Sequence, residues 1–321
     1  MSADVSAQAP PALPVKDFLS ILDISTSHLL RLLEVAGRLK AERRLGERAP
    51  TAHALGGAHI AMLFEKPSLR TRSTFEIGVR ELGGHILDLP REFAEGTREP
   101  LEDVARNLER WVKALVIRTY AHEKAQTFAA SARALKVINA LSDAEHPCQA
   151  LADMLTLMER WGSCEGRTLA YVGDGNNVAT SLVHAAPQLG MSVHVATPAS
   201  YELPATVLHE AMQSAQGGAE VRTFTDANKA VAGADAIYTD VWTSMGQEQE
   251  AKVRRWIFQP FQVNSALMRA ARPDALFMHC LPAHRGEEVT ADVFESASSV
   301  VFDQAENRLH TQKALLLMML G

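Results

Sequence analysis

Short apolar runs alternating with segments of helical length constrain this chain more than any other feature. In the first part, His59–Phe64, His85–Leu89, Ala114–Arg118 and Val137–Asn139 read as strands. In the second, Leu169–Val172, Ser192–Ala196, Ala219–Phe224, Ala236–Asp240 and Ala275–His279 repeat the pattern. A helix over Ser25–Lys40, with Leu29, Leu32, Leu33 and Ala36 at helical spacing, precedes the first strand, and most gaps between strands hold a helix, such as the one opened by His146-Pro147 and reaching Trp161. Consecutive strands joined by crossover helices pair in parallel, because a tight hairpin cannot join parallel neighbours. The expected fold class is α/β: two domains, each a mainly parallel sheet flanked by helices on both faces. The boundaries are a mobile tail over 1–15, a first domain over 16–145, a second over 146–302 and a C-terminal segment over 303–321. A further strand is expected at Val300–Asp303 and a last helix over about Asn307–Leu320.

The 321 residues suffice for two ordinary domains with substantial cores. A net charge of −6 gives no global attraction for nucleic acid or an anionic membrane, so an anion site must be a local basic cluster. Cys148, Cys164 and Cys280 are few and far apart, with neither a disulfide framework nor metal-ligand spacing, which fits a reducing compartment. The first fifteen residues lack the basic and apolar regions of a signal peptide, and Ala314–Leu320 is too short to span a bilayer. The expectation is a soluble protein of the cytoplasm.

Six segments at strand ends or helix starts carry candidate chemistry. Phe64-Glu-Lys-Pro-Ser-Leu-Arg-Thr-Arg-Ser-Thr-Phe-Glu76 runs from a strand into a helix whose apolar positions are Phe75, Val79 and Leu82. Arg70 and Arg72 sit at the end where the helix dipole is already positive, which suits a bound phosphate. The plainer alternative is a solvated helix start with Arg72 and Arg80 paired to Glu76. Arg118-Thr119 ends a buried strand and fits an anion or a structural salt bridge. His146-Pro147-Cys148-Gln149 offers a ring donor and a carboxamide, or merely a helix cap. Gly173-Asp-Gly-Asn-Asn177 lacks the third glycine of a dinucleotide loop, and the next strand ends at Ala196-Thr197 without the acidic residue that would hold a ribose. A nicotinamide cofactor is therefore disfavoured. Asp240-Val-Trp-Thr-Ser244-Met245-Gly246 and His279-Cys280-Leu281-Pro282 each follow a strand; Asp240 suits a ligand ammonium or a turn, and Cys280 a nucleophile or a small buried hydrophobe.

Taken in order and spacing, these segments resemble the aspartate/ornithine carbamoyltransferase superfamily, and within it the branch acting on ornithine. Ser68-Leu-Arg-Thr-Arg72 is similar to its S-x-R-T-R motif. The resemblance makes 16–145 a carbamoyl-phosphate-binding domain and 146–302 an ornithine-binding domain, with the last helix returning to the first. It implies a carbamoyl-phosphate set of Ser68, Leu69, Arg70, Thr71, Arg118, His146, Gln149, Cys280, Leu281 and Arg308. Within it Ser68, Arg70 and Thr71 hold the phosphate. Thr71, Arg118, His146 and Arg308 polarise the carbonyl oxygen. Gln149 and the backbone carbonyls of Cys280 and Leu281 hold the NH₂. Arg118, His146, Cys280 and Arg308 are the implied catalytic positions, and Asn177, Asp240, Ser244 and Met245 the implied ornithine ligands.

The implied reaction is carbamoyl transfer to the δ-amine of L-ornithine, giving L-citrulline and phosphate without a covalent intermediate. No metal and no organic cofactor is implied. A homotrimer, or a multiple of trimers, with sites at subunit interfaces is the implied assembly. Two departures stand out. Leu69 occupies a position where the family often has Thr, and the loop Arg91–Pro100, from which some relatives lend a His or Gln to a neighbour, has neither; Arg98 is the candidate substitute. The alternatives are transfer to putrescine or an N-acylated ornithine, or a catalytically silent paralogue.

Overall fold

A computed structural model describes residues 10–244 and 248–321. The expected tail over 1–15 thus lies largely outside the described residues, as do Met245 and Gly246. The strands are β1 His59–Phe64, β2 His85–Leu89, β3 Ala114–Arg118, β4 Lys136–Leu141, β5 Thr168–Val172, β6 Ser192–Ala196, β7 Val221–Phe224, β8 Ala236–Thr239 and β9 Leu276–His279. The helices are α1 Thr26–Glu42, α2 Leu69–Glu81, α3 Leu101–Trp111, α4 His122–Ser131, α5 Pro147–Trp161, α6 Asn177–Ala185, α7 Ala205–Ser214, α8 Ala227–Val231, α9 Ala251–Phe258, α10 Ser265–Ala270, α11 Ala291–Phe294 and α12 Val301–Leu320. The chain divides into two compact units: residues up to Asp143 with Asn307–Gly321, and Ala144–Glu306.

In the first unit four parallel strands lie in the order β2-β1-β3-β4. Successive residues of a strand face opposite sides, so a central strand buried along its length needs cover on both. β3 is such a strand, and Leu115 and Ile117 pack with Ala61, Leu63 and Val137 against Val104, Leu108, Ala125 and Phe128 of α3 and α4. Val116, Met62 and Ile138, on the alternate positions, are equally buried. Phe18 extends the β4 edge, donating its N–H to Val137 and accepting from that of Asn139.

The second unit carries five parallel strands in the order β7-β6-β5-β8-β9. Ala170, Val172, Ile237 and Phe277 meet α8, α10 and α11 on one face, while Leu169, Tyr171 and Tyr238 are buried on the alternate positions. The α/β class with helix-flanked parallel sheets is therefore observed. Most predicted strands fall within a residue or two of their expected bounds.

Val300–Asp303 is a correction. The apolar, partly β-branched run Val300-Val301-Phe302 looks strand-like, yet the helix begins at Val301. The sheet takes only an isolated bridge between Phe277 and Ser299, with the Val300 N–H donating to Phe277. The predicted Asn307–Leu320 helix is thus the later part of one helix. Among the described residues, no helix is long and apolar enough to cross a membrane.

Candidate active site

Open parallel sheets place ligands beyond the carboxyl ends of strands where the strand order reverses. In the first unit the chain leaves β1 for β2 on one side and returns to β3 on the other, so the reversal lies at β1 and β3. The segment after β1 starts α2, with Ser68 at its N-cap making no side-chain capping bond and no acidic residue in the first turn. Arg118 ends β3, where the β4 register slips: Ile117 faces Asn139, but Arg118 faces Leu141. Irregularities of this kind re-aim a side chain. The result converges on Thr71, whose hydroxyl accepts from Arg308 at 2.9 Å and Arg118 at 3.4 Å. All three residues are buried. Two guanidinium groups at a positive helix end are electrostatically unfavourable alone and favourable around an anion.

The final helix delivers Arg308 by close packing. A Cβ on Gly78 of α2 would stand 3.0 Å from the Lys313 side chain, so the missing side chain gives α12 its approach. Lys313 pairs with Glu81 at 2.7 Å, and Lys40 donates to Asn307 at 2.8 Å. Glu65 braces the opposite side, accepting from Thr119, from Lys124 and from the Tyr120 N–H. Burial raises its pKa, but these donors outweigh that and hold it below the ordinary value. Lys66 lies over the Tyr120 ring at 4.0 Å.

Arg72 is not part of this cluster. It pairs with Asp88 at 2.6 Å and lies over the Phe64 ring, while the predicted Arg80–Glu76 pair forms at 2.7 Å. Leu69 is 77 % exposed, so its side chain supplies no polar contact at the helix start.

In the second unit the reversal falls at β5, and the loops after β5, β8 and β9 meet. Asp240 accepts from Asn176 Nδ2 at 2.8 Å, the Cys280 thiol at 2.9 Å and the Val241 N–H at 2.8 Å. One carboxylate thus joins three of the sequence motifs. Gly175 makes this possible, because a Cβ there would stand 2.5 Å from the Tyr201 carbonyl. Asn176, not singled out by the sequence reading, caps α6 through Oδ1 and reaches Asp240 through Nδ2. Asn177 opens α6, and Ser244 lies four residues beyond Asp240, half-buried.

Arg254 of α9 braces this group, donating to Asp174 and to the Trp242 carbonyl. Burial pushes the Asp174 carboxyl up to about 6, with Arg254 opposing and Asp240 reinforcing the rise. His146 is the N-cap of α5 but makes no side-chain capping bond; its N–H donates to Ser181 at 2.9 Å. Gln149, one turn on, is buried and donates through Nε2 to Asp153 at 2.8 Å. After β9 the chain turns at Leu281, whose φ of +61° is unusual for a residue with a side chain. The Leu281 N–H donates to His279 Nδ1, which leaves the ring proton on Nε2 facing Glu288.

Asp240, His279 and Cys280 bring potential metal ligands within 4.8 Å of one another. Two of them bond to each other, Cys280 donating to Asp240, and His279 is engaged through both ring nitrogens. In a second such group, His284, Glu287 and Glu288, an ion pair with Arg255 at 2.9 Å occupies Glu287.

The first unit thus carries a basic cluster at a helix start, and the second an acidic one where the loops after three strands meet. Residues 16–159 match the carbamoyl-P binding domain of aspartate/ornithine carbamoyltransferases, and residues 165–319 match their Asp/Orn binding domain. The chain belongs to the aspartate/ornithine carbamoyltransferase family. It is 50% identical over 307 residues to the ornithine carbamoyltransferase of Anoxybacillus flavithermus, covering 95% of this chain and 96% of that protein. It is 49% identical over 308 residues to the anabolic ornithine carbamoyltransferase of Pyrococcus furiosus, covering 95% and 96%. The solved ornithine carbamoyltransferase of Pyrococcus furiosus superposes with a TM-score of 0.91 at 48% identity, covering 97% of this chain and 98% of that one. That of Thermus thermophilus gives 0.85 at 45%, covering 96% and 99%.

Proposed function

We propose that this chain transfers the carbamoyl group of carbamoyl phosphate to the δ-amine of L-ornithine, yielding L-citrulline and phosphate in arginine metabolism. The observation that carries the reading is the convergence of Arg118 and Arg308 on the Thr71 hydroxyl at the start of α2. Ser68, Arg70 and Thr71 hold the phosphate, with the backbone at Leu69 standing in for the missing hydroxyl. Thr71, Arg118, His146 and Arg308 polarise the carbonyl oxygen, while Gln149 and the carbonyls of Cys280 and Leu281 hold the NH₂. Asn177, Asp240, Ser244 and Met245 bind the amino-acid end of ornithine. The 16–145 and 146–302 segments are the donor and acceptor domains, with the closing segment serving the first.

Attack by the neutral amine turns the carbonyl into an oxyanion, and phosphate leaves as it collapses. Preorganised positive groups stabilise that charge as it develops, an effect of about 2.7–4 kcal/mol for a single donor in comparable sites. Positioning both substrates lowers the barrier further by removing a bimolecular encounter. Free ornithine's δ-amine, by analogy with lysine, titrates near 10.4, so the rate rises with pH until the amine is neutral in the site. No covalent intermediate is required. The Cys280 thiol serves as a hydrogen-bond donor to Asp240, and its main-chain carbonyl takes the substrate.

We place the protein in the cytoplasm as a homotrimer or a multiple of trimers with active sites at subunit interfaces, where Arg98 of the 91–100 loop reaches a neighbour's site. Light scattering on the purified protein checks the assembly, and a monomer fully active in the assay contradicts it. Citrulline formation is measured beside the carbamoylation of putrescine, L-aspartate and N-acetyl-L-ornithine. Turnover confined to ornithine is expected. Turnover with another amine would retain the donor site and overturn the acceptor assignment, and no turnover with any would leave a silent paralogue.

A further inference from the structure

We propose that Asp153 is a positioning residue for carbamoyl transfer, a single buried carboxylate that sets the orientation of the groups receiving the carbamoyl NH₂. This rests on the assignment of Gln149 and the Cys280 and Leu281 carbonyls to that NH₂. Asp153 lies one turn after Gln149 on α5 and is fully buried. Its Oδ1 accepts from Gln149 Nε2 at 2.8 Å and from Gln304 Nε2 at 2.8 Å. Its Oδ2 accepts from the Tyr238 hydroxyl at 3.1 Å.

A carboxamide has two ends of similar shape and opposite function. Its NH₂ only donates, and its oxygen only accepts. An ionised carboxylate only accepts, so contact with Asp153 selects the NH₂ end of both glutamines. For Gln149 this makes Oε1 the end suited to an NH₂ on the substrate; the flipped amide would present a donor to a donor. For Gln304 it turns Oε1 toward the His279 N–H, which donates to it at 3.0 Å. That contact anchors the end of β9 immediately before Cys280 and Leu281, whose carbonyls are the other assigned NH₂ acceptors. Asp153 therefore aligns the side-chain acceptor directly and the main-chain acceptors through Gln304. Burial, with Asp153 contributing, pushes the Tyr238 phenol well above its ordinary pKa, consistent with its role as a donor here.

Burying a carboxylate is costly, and three converging donors offset part of that cost. A hydrophobic residue would fill the same space without it. The polar arrangement is explained by amide orientation, which packing alone cannot impose.

The test compares wild type with Asp153→Asn, which keeps the shape but can present either an oxygen or an NH₂ to Gln149. Carbamoyl phosphate carries the NH₂, whereas inorganic phosphate does not. The variant is expected to raise the KM for carbamoyl phosphate about 10- to 100-fold while product inhibition by inorganic phosphate stays within about twofold. In a Gln149→Ala background the same substitution should cost less than half as much on a logarithmic scale, as expected when two residues act together. Gln304→Met, which spares Asp153, should raise the carbamoyl phosphate KM by a smaller factor and leave phosphate inhibition alone. These ratios compare two ligands on one folded variant, so a general loss of structure would move both. An unchanged carbamoyl phosphate KM in a turning-over Asp153→Asn enzyme, equal losses for both ligands, or strict additivity with Gln149→Ala would overturn the positioning role. If Asp153→Asn does not fold, the Gln304→Met ratio decides in its place. Absence of turnover in wild type would instead overturn the transfer reaction on which the inference rests.

Discussion

The two units solve opposite electrostatic problems. Around the start of α2, the first unit gathers Arg118 and Arg308 on one hydroxyl, with Arg70 in the same helical turn. The second buries Asp153, Asp174 and Asp240 and surrounds each with donors: two carboxamides and a phenol, a guanidinium, and an amide with a thiol. The first arrangement gains most when an anion arrives, because like charges are otherwise crowded at the positive end of a dipole. The second is already hydrogen-bonded and gains by geometry. The charge-gathering arrangement of the first unit and the hydrogen-bonded one of the second can therefore be broken separately.

The largest effect is expected from Arg70→Ala. Losing a positive group from the first turn of α2 should lower kcat/KM by at least about 10³-fold, with circular dichroism and melting temperature unchanged. Undiminished turnover would remove Arg70 from the phosphate site. Next comes Asp240→Ala, which should raise the KM for ornithine about 100-fold with a much smaller effect on carbamoyl phosphate. Equal losses for both substrates would show that Asp240 supports the unit as a whole and not the acceptor in particular.

Gly78→Leu addresses the first unit through packing. Its side chain enters space that Lys313 and Leu309 already occupy, so α12 must shift and carry Arg308 with it. A stability loss of about 1–3 kcal/mol and a fall in turnover smaller than that of Arg70→Ala are expected from denaturant titration and kinetics. Unchanged turnover would mean that Arg308 does not depend on this approach.

The smallest effect concerns Asp174. Its folded-state value of about 6 lies above the ordinary value of 3.8, so the folded state holds this proton more tightly. Its contribution to stability is fully present below about pH 3.8 and is lost as pH rises through about 6. Asp174→Asn lacks that titration, so its stability relative to wild type should improve over this window. A difference that does not vary with pH would show that Asp174 does not titrate there.

Much of this was legible in the sequence, for identifiable reasons. β1 and β3 are apolar runs long enough to be strands and too short to be helices, and Ser68-Leu-Arg-Thr-Arg72 sits at a helix start where arginine is otherwise out of place. Val300–Asp303 was misread because β-branched residues suit either state, and the pairing that would settle it lies on a distant strand. Arg72 reads as an anion ligand until β2 brings Asp88 beside it. Asn176, Arg254 and Gln304 act through partners 25 or more residues away, which no local pattern reveals. Asp153 did leave a trace: it is a charged residue in a helix whose neighbours Leu151, Ala152, Met154 and Leu155 are all apolar.

Calorimetric titration of carbamoyl phosphate into wild type, Arg70→Ala and Asp240→Ala tests the division between the two sites most directly. Binding weakened at least about 100-fold in Arg70→Ala and within about twofold of wild type in Asp240→Ala is expected. A comparable loss in both variants would contradict that division.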